Sequence, residues 1–240
     1  MKNWRSLEAA HLACLALVCL ALSLASANVS AQEAGTQTAT EDRPTGVFVT
    51  QIGTQNIART SQSNTVSSSI VEQDGSGNNA DVAQTSAGSH AAVVRQTGTE
   101  NAATVTQGGA GQTSLDLTQS GEGNVALITQ TDTNSGLAGA VSLAEIVQSG
   151  SGNGIVLTQQ GSGNSADLLQ SGNDNVAALT QDGQNNSLSA VQLGDANSLS
   201  WTQSGDGLSG ATVTQSGGQT IEITQTNSGQ VFSGQPSGGN

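Results

Sequence analysis

Glutamine returns along this chain on a fixed step. It stands at Gln51, Gln62, Gln73, Gln84, Gln96, Gln107, Gln119, Gln130, Gln148, Gln159, Gln170, Gln181, Gln192, Gln203, Gln215 and Gln225, nearly always eleven or twelve residues apart. Six residues before each Gln comes a small polar residue, most often Asn: Asn56, Asn78, Asn101, Asn124, Asn153, Asn164, Asn175, Asn186 and Asn197. Gly usually follows two residues after the Gln, as in Gln148-Ser149-Gly150. So regular a period marks an array in which each unit leans on its neighbours. Inside a unit the pattern has period two, the signal of a strand: Asn101, Ala103, Val105 and Gln107 fall on one side, Ala102, Thr104 and Thr106 on the other. The positions four and two before Gln are apolar except at Ser69 and Thr60, and no Asp, Glu, Lys or Arg falls on this inner face. The acids lie on the outer face (Asp81, Asp116, Asp167, Glu222) or in turns.

The units come in pairs. An odd strand is followed by its even partner after eleven residues, or ten at the last pair, whereas the longer connections follow Gln84, Gln107, Gln130 and Gln203, all on even strands. The true period is therefore about twenty-two residues, two strands and two turns. This predicts an all-β fold: a cross-β solenoid of about eight stacked coils, two strands per coil. Repeats span 45–130 and 142–225, and an insert at 131–141 separates them. Reversing the chain between strands sets Ala190 against Leu199, Leu188 against Trp201 and Ala211 against Ile223, so that small meets large in a thin core. One coil alone buries too little to offset its ordering entropy, so stability is expected from stacking. Inward Gln and Asn, costly if unpaired, are expected to bond to their equivalents one coil above and below, forming an amide ladder. Pro44 and Pro236 bracket the array, and no cap is evident in the polar lead or in the Gly-rich tail (226–240), read as flexible. Both end coils are then expected to present open strand edges.

Composition fits an exported chain. Lys2 and Arg5 precede an apolar run from about Ala9 to Leu24 and then small residues, the pattern of a signal peptide over 1–31, with cleavage after Ala27 or Ala31. Residues 32–44 read as a disordered targeting segment. Cys14 and Cys19 both lie in the apolar run, so the exported chain carries no thiol and no disulfide. The net charge is −13, and after cleavage only Arg43, Arg59 and Arg95 are cationic. Nucleic acid is excluded as a partner, because phosphate binding needs clustered Lys and Arg.

Asn-x-Ala-x-x-x-Gln-x-Gly-x-Gly-Asn, as in Asn153 to Asn164 less the Ala, and Ser-x5-Gln, as in Ser142 to Gln148, resemble the repeats of the curlin family. The resemblance covers Thr45 to Gln225. It implies a secreted structural subunit of a curli-like functional amyloid fibre, with roles in biofilm matrix and cell adhesion. It also implies self-association as a homopolymer, a nucleator subunit as partner, and export through an outer-membrane secretion channel with accessory proteins. Compared with the familiar major subunit the array is longer, the lead is not Gly-rich, and the insert divides it.

Other chemistries fit less well. Gly150-Ser151-Gly152 lacks the context of a nucleophile elbow, and the one histidine of the exported chain, His90, occupies a ladder position, so no enzymatic activity is expected. The turn acids Asp74, Glu100, Glu122, Asp174, Asp182, Asp195 and Asp206 lack the Gly-Gly-x-Gly-x-Asp repeat of calcium-loaded β-rolls and read as acidic gatekeepers, so no metal and no cofactor is expected. Thr106, Thr129, Thr158, Thr180, Thr202 and Thr224 form an outward column, which keeps a monomeric adhesin or ice-binding protein as an alternative. Leu208 and Gln219 depart from the Asn or Ser of earlier repeats, which keeps a minor nucleator of the same fibre as another.

Overall fold

Alternating strands punctuated by Gly-containing turns fold into two parallel sheets. The structure, a computed structural model, describes residues 45–63, 66–133, 140–210 and 212–235. These belong to one unit, Glu33–Asn240. The expected export signal and lead (1–44), and with them the cleavage site, lie outside the described residues, as does Ala211.

The strands are β1 (Gly46–Thr54), β2 (Ile57–Gln62), β3 (Ser68–Ser76), β4 (Asn79–Gln84), β5 (Ser89–Thr99), β6 (Ala102–Gly109), β7 (Gln112–Glu122), β8 (Val125–Asp132), β9 (Val141–Ser151), β10 (Gly154–Gln160), β11 (Ser165–Asn173), β12 (Val176–Asp182), β13 (Ser187–Leu193), β14 (Ser198–Ser204), β15 (Val213–Ser216), β16 (Thr220–Thr226) and β17 (Gly229–Gln235). The odd strands β1 to β15 make an eight-stranded sheet, and the even strands β2 to β16, joined by β17, make a nine-stranded one. Each of β1 to β16 pairs in parallel with the strand one coil away, Gln over Gln: Gln51 with Gln73, Gln96 with Gln119, Gln159 with Gln181. The expected β-solenoid with two strands per coil is the observed fold.

One continuous core runs up the inside, from Val71 and Val82 through Leu117, Ile128, Ile146 and Leu157 to Leu179, Trp201 and Ile223. The two exceptions in the apolar inner pattern matter: the hydroxyls of Thr60 and Ser69 are buried without a hydrogen-bond partner. The Gly two residues after the Gln of β1, β3, β5, β7, β9 and β11 is required sterically. Gly53, Gly75, Gly98, Gly121, Gly150 and Gly172 have φ between +99° and +125°, and a Cβ on any of them would stand 1.9–2.2 Å from the carbonyl oxygen of the glycine one coil on. Such a φ also disfavours any L side chain.

The structure differs from the sequence reading in two places. Thr131 and Asp132 complete β8 and Val141 opens β9, so the insert narrows to 133–140, of which 134–139 lie outside the described residues. The tail read as flexible contains β17, which turns back at Thr226–Gly229 and runs antiparallel to β16, from Gln225 with Gln230 to Thr220 with Gln235. The edge of β16, where a further coil would pair, is therefore covered, and the even sheet ends on the antiparallel β17.

Two substitutions test this packing by chemical denaturation. Gly121→Ala is expected to lose about 3 kcal/mol, since both the backbone angle and the Gly150 carbonyl oppose a methyl group. Ser69→Ala is expected to gain about 1 kcal/mol by removing a buried hydroxyl that bonds to nothing.

Candidate functional site

The chemistry of this chain is concentrated in its amide columns. In the odd sheet each Gln Nε2 donates to the Gln Oε1 one coil on, from Gln51 through Gln73, Gln96, Gln119, Gln148, Gln170 and Gln192 to Gln215, at 2.6–3.0 Å. The even sheet repeats this from Gln62 through Gln84, Gln107, Gln130, Gln159, Gln181 and Gln203 to Gln225, at 2.6–2.9 Å. The second N–H of the same amide crosses the coil to a carbonyl on the facing sheet: Gln73 to Ile57, Gln84 to Ser68, Gln107 to Ala91, Gln203 to Ser187. Gln73, Gln84, Gln107 and Gln203 thus tie their coil to the next one and to the facing sheet, which satisfies the donors that burial would otherwise orphan.

The Asn residues that open the even strands form a third column running the other way. Asn78 Nδ2 donates to Asn56 Oδ1, and the pattern continues through Asn101, Asn124, Asn153, Asn175 and Asn197 at 2.8–3.2 Å. The same Oδ1 atoms accept the backbone N–H of the next Asn, as Asn101 Oδ1 does from Asn124. At the opposite edge, Asn164 and Asn186 are linked through backbone N–H to side-chain oxygen: Asn186 N donates to Asn164 Oδ1, and Leu208 N to Asn186 Oδ1. Earlier in that edge the column is mixed. Ser67 Oγ accepts from His90 N, and the His90 ring sits between Thr113 Oγ1 at 3.0 Å and the Thr85 carbonyl at 3.1 Å.

One buried group escaped the sequence reading. Asp132 is fully buried, where it accepts from the backbone N–H of Gln112 and the hydroxyl of Ser162. It stands two after Gln130, where most other units carry Gly, so the inner face free of acids ends at the mouth of the insert. A Cβ on Gly111 would strike its carboxyl group, so a small neighbour and a departure from the Gly rule were the available signals.

Turn acids also act structurally. Asp195 Oδ1 accepts from Asn173 N and Nδ2, and Asp206 Oδ1 from Gln184 N, one coil away in each case. On the outer face Arg95 bridges Glu72, its register partner on β3, and Asp116, which lies diagonally across on β7 opposite Val93, in an exposed arrangement that contributes little to stability. Among the described residues no three His, Cys, Asp or Glu side chains are grouped to hold a metal ion, and no helix is long and apolar enough to cross a membrane.

Comparison with known families places this geometry. The profile of the curlin associated repeat matches residues 161–194, which cover β11, β12 and β13 with their turns. That stretch of the chain carries a curlin associated repeat. The matched curlin segment contains Asn164, Gln170, Asn175, Gln181, Asn186 and Gln192, six consecutive members of the columns described above. No curated protein and no solved structure matches the chain significantly.

Cutting a column should be costly. Gln119→Leu leaves Gln96 Nε2 without its acceptor and Gln148 Oε1 without its donor, so a loss of about 2–6 kcal/mol is expected in denaturant melts, against under about 0.5 kcal/mol for the outward Thr118→Ala. His90 adds a pH dependence. Burial holds its imidazole below the ordinary pKa of 6.5, against the opposing pull of the Thr85 carbonyl and the Asp132 charge. The folded state therefore prefers the neutral ring: its contribution is complete above about pH 6.5 and is lost as pH falls through that value towards the lowered one. Thermal melts from pH 7.5 to 5 should show that decline, and His90→Thr should flatten it.

Proposed function

We propose that this chain is the structural subunit of a secreted, curli-like amyloid fibre, polymerising by end-to-end stacking of its solenoid. The observation that carries this reading is that every internal joint between coils is the same joint: parallel, in register, Gln over Gln. The N-terminal end offers the same pair of strand edges and Gln side chains as that joint. Among the described residues no strand pairs with the outer edges of β1 and β2. Val47 and Val49, in register with the buried Ser69 and Val71, are 45% and 44% exposed. A surface built like a cut through the core is what a second copy fits.

The setting that goes with this role is extracellular: removal of the signal over 1–31, passage through an outer-membrane channel with accessory proteins, and growth from a nucleator subunit into biofilm matrix that aids adhesion. A structural role rather than catalysis agrees with a core made of amide columns. The outward Thr column, in register from Thr106 to Thr224, supports the alternative of a monomeric adhesin or ice-binding protein, but it is a single column, flanked on its inner-turn side by Leu127, Val156, Ala178 and Glu222.

Thioflavin kinetics and fibre diffraction test the reading. The exported chain should form fibres with reflections near about 4.8 and 10 Å, and a lasting soluble monomer without them would favour the adhesin. Charge offers a second test. Asp174, Asp182, Asp195 and Asp206 changed together to Asn should assemble faster, because stacking sets like charges at fibre repeats while Asn Oδ1 can still take the backbone N–H groups that Asp195 and Asp206 now accept. The acceleration should be largest at low salt and shrink towards 1 M, where the Debye length is about 3 Å. Slower assembly at every salt concentration would show the carboxylates to be structural and not gatekeepers.

A further inference from the structure

At its C-terminal end the stack stops in a different way. The odd sheet finishes with the short β15, but the even sheet carries β17 across the edge of β16 where the next coil would pair. We propose that β17 occupies the seat of the next subunit, and that the first coil of a second copy pairs with β15 and β16 only once β17 has lifted away. This rests on the fibre reading and adds to it a gate and a direction.

Three observations carry it. First, the partner that fits this edge is on the page: continuing the internal register sets Gln51 of a second copy over Gln215 and Gln62 over Gln225, parallel, as in every joint within the chain. The amide columns agree in polarity, since each Gln donates towards the C-terminal end and accepts on its N-terminal side, so Gln225 Nε2 would meet Gln62 Oε1 of the copy above.

Second, β17 is not that partner. It runs antiparallel, which breaks the column by setting Gln230, Phe232 and Gly234 against Gln225, Ile223 and Ile221. Directly paired residues share a face, so Phe232 stands on the core side above Ile223. It is nevertheless 60% exposed, and Val231 on the other face is 68% exposed. Among the described residues the odd sheet ends at β15, and no strand of that sheet faces β17.

Third, the last coil offers a weaker joint than any inside. The Asn columns stop at Leu208 and Gln219: Leu208 supplies no amide, and the Gln219 side chain turns back to accept from Ser216 N. Backbone edges and Gln columns remain to hold a newcomer, so a strand held by one edge can compete with it for the site.

The test uses the exported chain from Gln32 onwards, which has no cysteine of its own. One variant ends at Ser228. The other, Thr224→Cys with Val231→Cys, places two thiols on directly paired, exposed positions of β16 and β17, where antiparallel Cα separations of about 4.5–5.5 Å lie within disulfide reach. The chain ending at Ser228 should show a thioflavin lag shortened on the order of tenfold, because it no longer waits for a minor open population. The oxidised pair should stop the elongation of preformed seeds, and reductant should restore it. Fibres from the parent together with equal seeded growth of the oxidised and reduced pair would overturn the gate and leave the fibre reading standing. A monomeric parent alongside a fibrous chain ending at Ser228 would support the gate in its strongest form. Monomers in every form, with no reflection near about 4.8 Å, would sink both.

Discussion

A parallel strand displaced by one coil lies over its counterpart residue for residue, and this single relation governs the rest of the molecule. Whatever occupies a position must tolerate its own likeness about 4.8 Å above and below. Amides do so well, since each supplies a donor and an acceptor pointing opposite ways. Alkyl groups do so by close packing. Charges do so badly, which explains why acids keep to outer faces and turns, where water and the alternation of Glu72, Arg95 and Asp116 relieve them. Glycine meets the same rule in its strictest form, because at Gly98 or Gly121 the neighbouring carbonyl occupies the space a methyl group would need.

Because the relation is periodic, much of the fold is legible in the sequence. The Gln step specifies strand length, the pairing of odd with odd and even with even, and the register; the alternation around Asn101 to Gln107 tells which face is buried, and the structure buries Ala103, Val105 and Gln107. What escapes is whatever does not repeat. Phe232 and Val231 belong to a strand with no Gln step and a reversed direction, so a periodic reading sees only a Gly-rich tail. Asp132 breaks the rule at one coil and is held by a solution specific to that coil, the hydroxyl of Ser162 and the backbone N–H of Gln112. Turn acids look alike in sequence but differ in geometry: Glu100 and Asp174 take the left-handed φ of 56° and 55° just before an Asn, whereas Asp195 and Asp206 accept backbone hydrogen bonds. Composition cannot separate those two uses.

The columns also give the stack a direction. Gln amides donate towards the C-terminal end and the Asn amides of the even strands donate towards the N-terminal end, so their side-chain dipoles oppose one another within each coil. Hydrogen-bonded chains polarise along their length, and opposed chains limit the net dipole that a long stack would otherwise accumulate. Cancellation of the dipole does not make the ends alike. The N-terminal end presents two strand edges, exposed valines and two Gln oxygens; the C-terminal end presents a short β15, Gln225 beneath β17, and Asn columns that have already stopped.

Unlike ends restrict how copies can join. Two N-terminal faces brought together would set strands antiparallel and Gln oxygen against Gln oxygen, so the complementary contact is head to tail. Head-to-tail contacts that do not close into a ring extend without limit, and a coil-by-coil translation with slight twist does not close. The proposed filament growth would then follow from the internal repeat itself. The departures at the last coil have a different logic: a chain whose two ends were perfect continuations of its core would have no means of remaining single once folded, and imperfection at one end is the simplest physical way to separate folding from polymerisation.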